Sequence, residues 1–268
     1  MKKIAFLGIG GIGGYYGGLM AQHYAKSNEV EIYFIARGEN EREIRENGLR
    51  LETTNGKFLA HPYRISSDPA KIGIVDLLIV CTKSYELEQA LYQYITCINN
   101  DTVILPLLNG VDSKERIQII LRDNEVWEGC VYVVSRVLKP GYIQETGIMA
   151  ALYFGATDGN SEKLKQAEHF LKESGIDARL SENITLDIWQ KFLFISSVSS
   201  LLTYLDTSIG AILANPEKKG ILLALLHELK SIADAKDIQL PDDIIQKAIE
   251  TMSALIRYCR LRTGSAVD

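Results

Sequence analysis

The sequence predicts an α/β chain, with a doubly wound parallel-sheet domain over residues 1–182 and an all-helical domain over residues 183–268. Three observations carry that prediction. Short apolar runs alternate with amphipathic segments through the first two thirds, the pattern of a sheet covered by crossover helices. A glycine-rich turn joins the first apolar run to the first amphipathic segment. Near Asn183 the strand-like runs stop, and three segments of helical period follow.

In chain order, the apolar runs at 4–7, 30–35, 75–81, 103–105 and 126–134 read as strands. Between them, 13–26, 85–95 and 113–121 read as helices. Pro140-Gly141 marks a turn between two β-rich stretches, 131–138 and 142–144. Another strand is expected at 151–154, and Ser161 opens a helix with Glu162 in its first turn. In the second domain the helical segments are 186–205, 217–235 and 242–258, with Pro241 where a helix start tolerates it.

Charge and composition exclude several classes of function. Lys plus Arg number 29 against 34 Asp plus Glu, a net charge of −5, and no long basic run appears. Nucleic acid and an anionic membrane are therefore not expected partners, although a local basic pocket for a small anion is still allowed. Cys81, Cys97, Cys130 and Cys259 are scattered without a C-x-x-C pair, and no secretory signal is recognisable. That points to a reducing, cytoplasmic compartment without a disulfide framework. The four histidines form no ligand cluster, so no metal site is expected. Apolar runs all fall short of the ~20 residues a membrane span needs.

The glycine-rich turn is Gly8-Ile9-Gly10-Gly11-Ile12-Gly13, a G-x-G-x-x-G pattern directly after a strand and at the head of a helix. Glycines there allow a tight turn, close approach of backbone to a pyrophosphate, and strand–helix contact. The helix start then directs unused N–H groups at the phosphates. In this context the pattern reads as the dinucleotide loop of a Rossmann-type domain. NAD binders commonly carry an acid at the end of the next strand, but here Arg37 stands 24 positions after Gly13. A guanidinium matches a 2′-phosphate and a carboxylate repels it, so NADP(H) is expected rather than NAD(H). Glu39 could act on the ribose, or pair with Arg37 as a surface ion pair.

Two more loops fall where strands of such a sheet end. Thr82-Lys83 follows one strand, and Lys83 is either a second cation for the adenosine phosphate or a solvated lysine at a helix start. Asn109-Gly110 follows another; Asn109 offers both a donor and an acceptor, and Asn-Gly also suits a turn for backbone reasons alone. Lys191 lies, at 100° per residue, in the middle of an apolar arc made by Ile188, Phe194, Ile195, Val198, Leu202 and Leu205. Gln190, Ser196, Ser197, Ser199, Ser200 and Thr203 fall mainly on the other side. A lysine centred on such a stripe marks either a functional cleft or a packed stem with its ammonium in water.

Together the turn at 8–13, Arg37, Thr82-Lys83, Asn109-Gly110, the stretch 129–141 and Trp189-Gln190-Lys191-Phe192 resemble, in order and spacing, the ketopantoate reductase (2-dehydropantoate 2-reductase) family. The resemblance runs from residue 1 to about 215. It implies a Rossmann domain followed by a helical substrate and dimerisation domain, with the active site in the cleft between them; a homodimer is compatible with it. It implies that Arg37 and Lys83 hold the 2′-phosphate side of NADPH, that Asn109 lies near nicotinamide and substrate, and that Ser135 makes a backbone contact to cofactor. Lys191 matches the family's catalytic lysine. The implied reaction is NADPH-dependent reduction of ketopantoate to pantoate, on the route to pantothenate and coenzyme A. Lys191 would donate a proton to the substrate carbonyl oxygen.

The sequence departs from the family in two places. Ile195 and Ser199 stand where well-studied members carry substrate-binding asparagines. Another 2-oxo acid is therefore an alternative substrate, or Ser196, Ser197 and Ser199 provide the grip. The stretch 256–268 also lacks the family's pattern, and the Thr-Glu pair that members carry would fall just past Asp268. From this the expectation is a truncated or altered ending, with NADPH still bound, substrate gripped poorly and a tendency to self-associate. The third reading is an NADP(H)-binding protein without catalysis.

Overall fold

The computed structural model describes residues 2–157, 159 and 161–263. Met1–Ile184 form one compact unit and Thr185–Asp268 a second. The first unit starts with β1 (Lys3–Leu7), α1 (Gly11–His23), β2 (Glu31–Ile35) and α2 (Gly38–Asn47), then a hairpin of β3 (Leu49–Thr53) and β4 (Gly56–Ala60). The chain continues through β5 (Arg64–Ile65), α3 (Pro69–Ile72), β6 (Leu77–Val80), α4 (Leu87–Gln93), β7 (Val103–Pro106) and α5 (Ser113–Ile120). A long hairpin of β8 (Glu128–Lys139) and β9 (Tyr142–Gly155) follows, then α6 (Ser161–Glu173) and β10 (Asp177–Leu180).

One sheet is parallel, in the order β5-β2-β1-β6-β7. Strands β1, β2, β6 and β7 are buried along nearly their whole length without alternation because both faces are covered. Side chains still point to opposite faces in turn. Ile4 and Phe6 pack with Phe34, Leu77, Ile79 and Trp127 in one core, while Ala5 and Leu7 pack with Ile35, Leu78, Val80 and Leu91 in another. Each fully buried aliphatic or aromatic side chain contributes roughly 1.5–3 kcal/mol relative to exposure. The strand order reverses at β1, with β2 on one side and β6 on the other, and that reversal is where open α/β sheets leave a crevice for ligands.

The second sheet is mixed, in the order β10-β9-β3-β4 with β8 also on β9. The expectation of separate strands at 126–134, 142–144 and 151–154 gives way to one continuous hairpin. Pro140-Gly141 supplies its tight turn, with Gly141 at φ +70°, and the two strands pair from Glu128↔Gly155 to Lys139↔Tyr142. The β3–β4 hairpin was not expected at all, although Asn55-Gly56 between alternating apolar residues is its signal. Nor was α2, a charged helix with only Ile44 buried. The helix α1 lies within the larger core: every residue from Gly13 through Ala21 is buried. Glycines 14, 17 and 18 leave room there for Ile143, Phe6, Phe34, Leu49 and Leu51.

The second unit contains α7 (Ile184–Leu205), α8 (Ile209–Ala214), α9 (Pro216–Ala235) and α10 (Ile244–Thr263), with no strand among its described residues. Asn215 caps α9 by accepting from the Lys218 N–H at 3.0 Å, and Pro216 takes the first-turn position that tolerates it. The short α8, capped by Ser208, was not expected. In α7 the burial differs from a single apolar arc. Ile188 and Val198 are buried as anticipated, but so are Trp189, Leu193, Ser197 and Leu201 on the far side. The expectation about the chain's ending falls partly on 264–268, outside the described residues. No helix among the described residues is long and apolar enough to cross a membrane.

Candidate functional site

The chain leaves β1 and enters α1 through Gly8, Ile9 and Gly10. Gly8 has φ +98°, a conformation natural to glycine, and its N–H donates to the Ile35 carbonyl at 3.0 Å. A Cβ on Gly8 would stand 3.1 Å from the Cys81 carbonyl and the Thr82 nitrogen. On Gly11 it would stand 2.5 Å from the Ser135 carbonyl oxygen, and on Gly13 it would strike the Gly8 carbonyl. Around Gly10 the reverse holds, since a Cβ there would meet nothing within 4 Å. Gly10 is the N-cap of α1 with no side-chain cap, and the first turn carries no acid. The first-turn N–H groups therefore have no intrahelical acceptor, and nothing opposes the positive end of the helix dipole.

Two buried hydroxyls beside this loop, Thr82 Oγ1 and Ser135 Oγ, have no hydrogen-bond partner. Buried polar atoms are almost always paired, so orphans flanking an open glycine cradle fit a bound group rich in oxygen. Thr82 and Ser135, together with the loop, would accommodate the diphosphate of a dinucleotide.

Arg37 is the N-cap residue of α2, directly after β2. Its Nη2 lies 3.7 Å from Glu86 Oε1, with side chains 60% and 39% exposed. An ion pair so wet is worth ~0–1 kcal/mol and leaves the guanidinium open to a stronger anion. Glu39, the surface partner considered for Arg37, pairs instead with Arg42 at 3.6 Å, and it is Glu86, which the sequence did not suggest, that lies beside Arg37. Lys83 is exposed and precedes the 3-10 turn Ser84–Glu86. That turn is braced by Arg116 of α5, which donates to Ser84 Oγ at 2.8 Å and to the Ser84 carbonyl at 2.6 Å. Glu88 accepts from the same guanidinium at 2.7 and 2.9 Å, and Arg116 holds its carboxyl below the usual glutamate range.

Asn109 is exposed in the loop after β7, before Gly110 at φ +114°. Ser135 sits at a bulge of β8, paired with Glu145 of β9. Glu145 is only 4% exposed and accepts from Thr54 N at 3.1 Å and Thr54 Oγ1 at 3.3 Å. Burial, with the Glu145 charge added, pushes the Tyr15 hydroxyl up to about 12.

On the second unit, Lys191 is half-buried on α7, one turn after Ile188 and one before Ile195. Ser199 is exposed two turns on. Ser197 is fully buried and its hydroxyl donates to the Leu193 carbonyl at 2.7 Å, so it does not grip a substrate as the sequence suggested. The sequence-derived residues thus fall into two groups. The loop at 8–13, Arg37, Lys83, Asn109 and Ser135 gather at strand ends and the α1 start in the first unit, while Lys191 and Ser199 share one helix of the second. Sequence reasoning missed Asn40, Arg116 and Glu145, whose roles depend on partners far along the chain. A cavity of about 520 Å3 lined by Lys114, Gln118, Arg122, Glu125 and Val126 involves none of the predicted residues.

Both parts of the chain match models of one protein family. Residues 4–159 match the family model described as ketopantoate reductase PanE/ApbA, and residues 183–265 match the ketopantoate reductase PanE/ApbA C terminal model. The crystal structure of 2-dehydropantoate 2-reductase from Porphyromonas gingivalis W83 is similar with TM-score 0.87 and 36% identity, over 96% of this chain and 91% of that one. The 2-dehydropantoate 2-reductase of Nostoc sp. is 24% identical over 100% of this chain and 82% of its own length. A ternary structure of D-mandelate dehydrogenase with NADH and anilino(oxo)acetate shares the fold at TM-score 0.82 and 24% identity, over 93% of this chain and 80% of that one.

Proposed function

This chain belongs to the ketopantoate reductase family, and we propose that it reduces a 2-oxo acid, ketopantoate in the first instance, with NADPH. The observation that carries the reading is the open cradle at Gly10, flanked by the unpartnered hydroxyls of Thr82 and Ser135, with Arg37 at the head of the next helix. In this reading residues 1–182 hold the cofactor and residues 183–268 the substrate.

The start of α1 receives the diphosphate on its unused N–H groups. Arg37 takes the 2′-phosphate through its planar fork, and Lys83 adds a second positive charge. Asn109 lies near the nicotinamide and substrate and fixes orientation by donating and accepting, and Ser135 meets the cofactor through its backbone. When bound, the cofactor supplies a hydride to the ketone carbon. Lys191 donates a hydrogen bond to the ketone oxygen, stabilises the negative charge that builds there, and gives it a proton, so that the carbonyl becomes a secondary alcohol. The lysine then recovers its proton from solvent. Ser199 contacts substrate from the same helix, two turns further on.

A second substrate reading rests on Ile195 and Ser199. With a half-buried apolar side chain at one position and a short hydroxyl at the other, the site would favour a 2-oxo acid other than ketopantoate. The experiment is NADPH oxidation against a panel of 2-oxo acids, with cofactor binding measured separately. Turnover of ketopantoate supports the first reading, and turnover of another acid alone supports the second. Tight NADPH binding without turnover of any acid refutes both.

A further inference from the structure

Asn40, the third residue of α2, is half-buried, and both ends of its amide are engaged. Its Nδ2 donates to the Ile9 carbonyl at 2.8 Å, inside the glycine loop. Its Oδ1 accepts from the Gly141 N–H at 2.8 Å, in the turn of the β8–β9 hairpin. The Gly141 carbonyl in turn accepts from Arg50 N of β3 at 2.8 Å. The same hairpin touches the start of α1 elsewhere, with Ser135 against Gly11 and Ile143 against Gly14. Asn40 is therefore a polar tie between the loop and the second sheet, made by residues 31 and 101 positions apart.

The loop needs such a tie for a physical reason. Glycine permits close approach of a ligand and equally permits the backbone to turn away, so a loop with Gly8, Gly10 and Gly11 does not hold its own peptide planes. In a trans peptide the carbonyl and the following N–H point in opposite directions. Holding the Ile9 carbonyl against Asn40 thus fixes the direction of the Gly10 N–H, beside the open space of the cradle. If that carbonyl turned inward, an oxygen would face the anion in place of a donor.

We propose that Asn40 is a positioning residue for dinucleotide binding, acting through the Ile9–Gly10 peptide and not through contact with the ligand. The proposal rests on the reading that the cradle binds a dinucleotide. Preorganisation of this kind acts on affinity. It concerns the diphosphate, which NADPH and NADH share, so both cofactors should be affected alike. That separates Asn40 from Arg37, which faces only the 2′-phosphate.

The test is Asn40→Leu, which keeps the side-chain shape and removes both hydrogen bonds, compared with the unmutated chain. Kd for NADPH and for NADH is read by fluorescence titration, kcat at saturating NADPH by absorbance, and folding by thermal melt. Both Kd values should rise on the order of tenfold with their ratio unchanged, and kcat should stay within about twofold. If Asn40→Leu does not fold, Asn40→Gln, with both groups one methylene out of place, is measured in the same way. A lower melting temperature with unchanged Kd values, or a loss confined to NADPH, overturns the proposal. If the unmutated chain binds neither dinucleotide, the cofactor reading falls and the proposal with it; if it binds and the variant binds equally, the proposal alone falls.

Discussion

Replacing Arg37 by alanine separates what this side chain does for the fold from what it does for a ligand. Among the described residues Arg37 pairs with Glu86 at 3.7 Å, with both side chains well exposed. Such a pair is worth ~0–1 kcal/mol, and in a protein of this size that is a melting shift of at most about 4 °C. A 2′-phosphate offers the same guanidinium charge-assisted hydrogen bonds worth about 1.5–3 kcal/mol. Arg37→Ala should therefore raise the Kd for NADPH at least about tenfold, leave the Kd for NADH nearly unchanged, and move the melting temperature by a few degrees at most. Glu86→Gln is the mirror experiment. It removes a carboxylate that competes with the phosphate, so NADPH should bind up to about fivefold tighter. Titrations of both cofactors at fixed ionic strength, repeated at higher salt, read all of this, because exposed charges are screened within roughly 8 Å at 0.15 M salt. Equal losses of NADPH and NADH affinity in Arg37→Ala would refute the assignment of Arg37 to the 2′-phosphate.

Three further outcomes follow from the geometry. Gly11→Ala places a methyl group 2.5 Å from the Ser135 carbonyl oxygen, so the hairpin or the start of α1 must shift; a loss of about 1–3 kcal/mol in denaturant melts and weaker NADPH binding are expected, and an unchanged melt would show that the contact relaxes freely. Lys191→Ala should leave NADPH binding nearly intact and lower kcat on the order of 10²-fold or more, and full-rate reduction by the variant would make this lysine structural. Arg116→Gln removes the brace on the turn Ser84–Glu86 and the cause of the lowered Glu88 carboxyl. Because that carboxyl is depressed in the folded protein, its contribution is present above the ordinary glutamate range and lost as pH falls through the folded value. The unmutated chain should thus exceed the variant in stability at neutral pH, with the gap closing in acid; a gap independent of pH would assign the effect to the Arg116 hydrogen bonds with Ser84, whose partners do not titrate.

The parts of the fold legible in the sequence are those encoded locally. The runs around Phe6, Phe34, Ile79 and Leu105 are apolar throughout because both faces of their sheet are covered, and the glycines at 8–13 announce their turn by spacing alone. The positions of Arg37 and Lys83 just past strand ends were readable, and β2 and β6 do end shortly before them. What escaped depends on distant partners. The β3–β4 hairpin carries a local Asn-Gly signal, but its place beside β9 does not follow from it. Ser197 looked available on helical periodicity, yet α7 is buried on two faces and the hydroxyl turns back onto its own helix. Asn40 sits in a charged helix with no pattern to mark it, and only the positions of Ile9 and Gly141 reveal its use.

Helix α1 has no solvent face over most of its length. From Gly13 to Ala21 no residue is exposed, and Tyr16 at 0% exposure directs its hydroxyl to the Ala150 and Ala151 carbonyls of β9. A surface helix can fray by itself, whereas this one can open only if the packing on several sides opens with it. Amide protons along α1 should accordingly exchange with solvent as slowly as those of the central strand β1, through global unfolding. The glycine loop at its head then inherits the lifetime of the whole first unit, and if it holds the cofactor as proposed, destabilising substitutions remote from it, in β9 or β3, should erode cofactor occupancy by raising the unfolded fraction while the folded molecules keep their affinity.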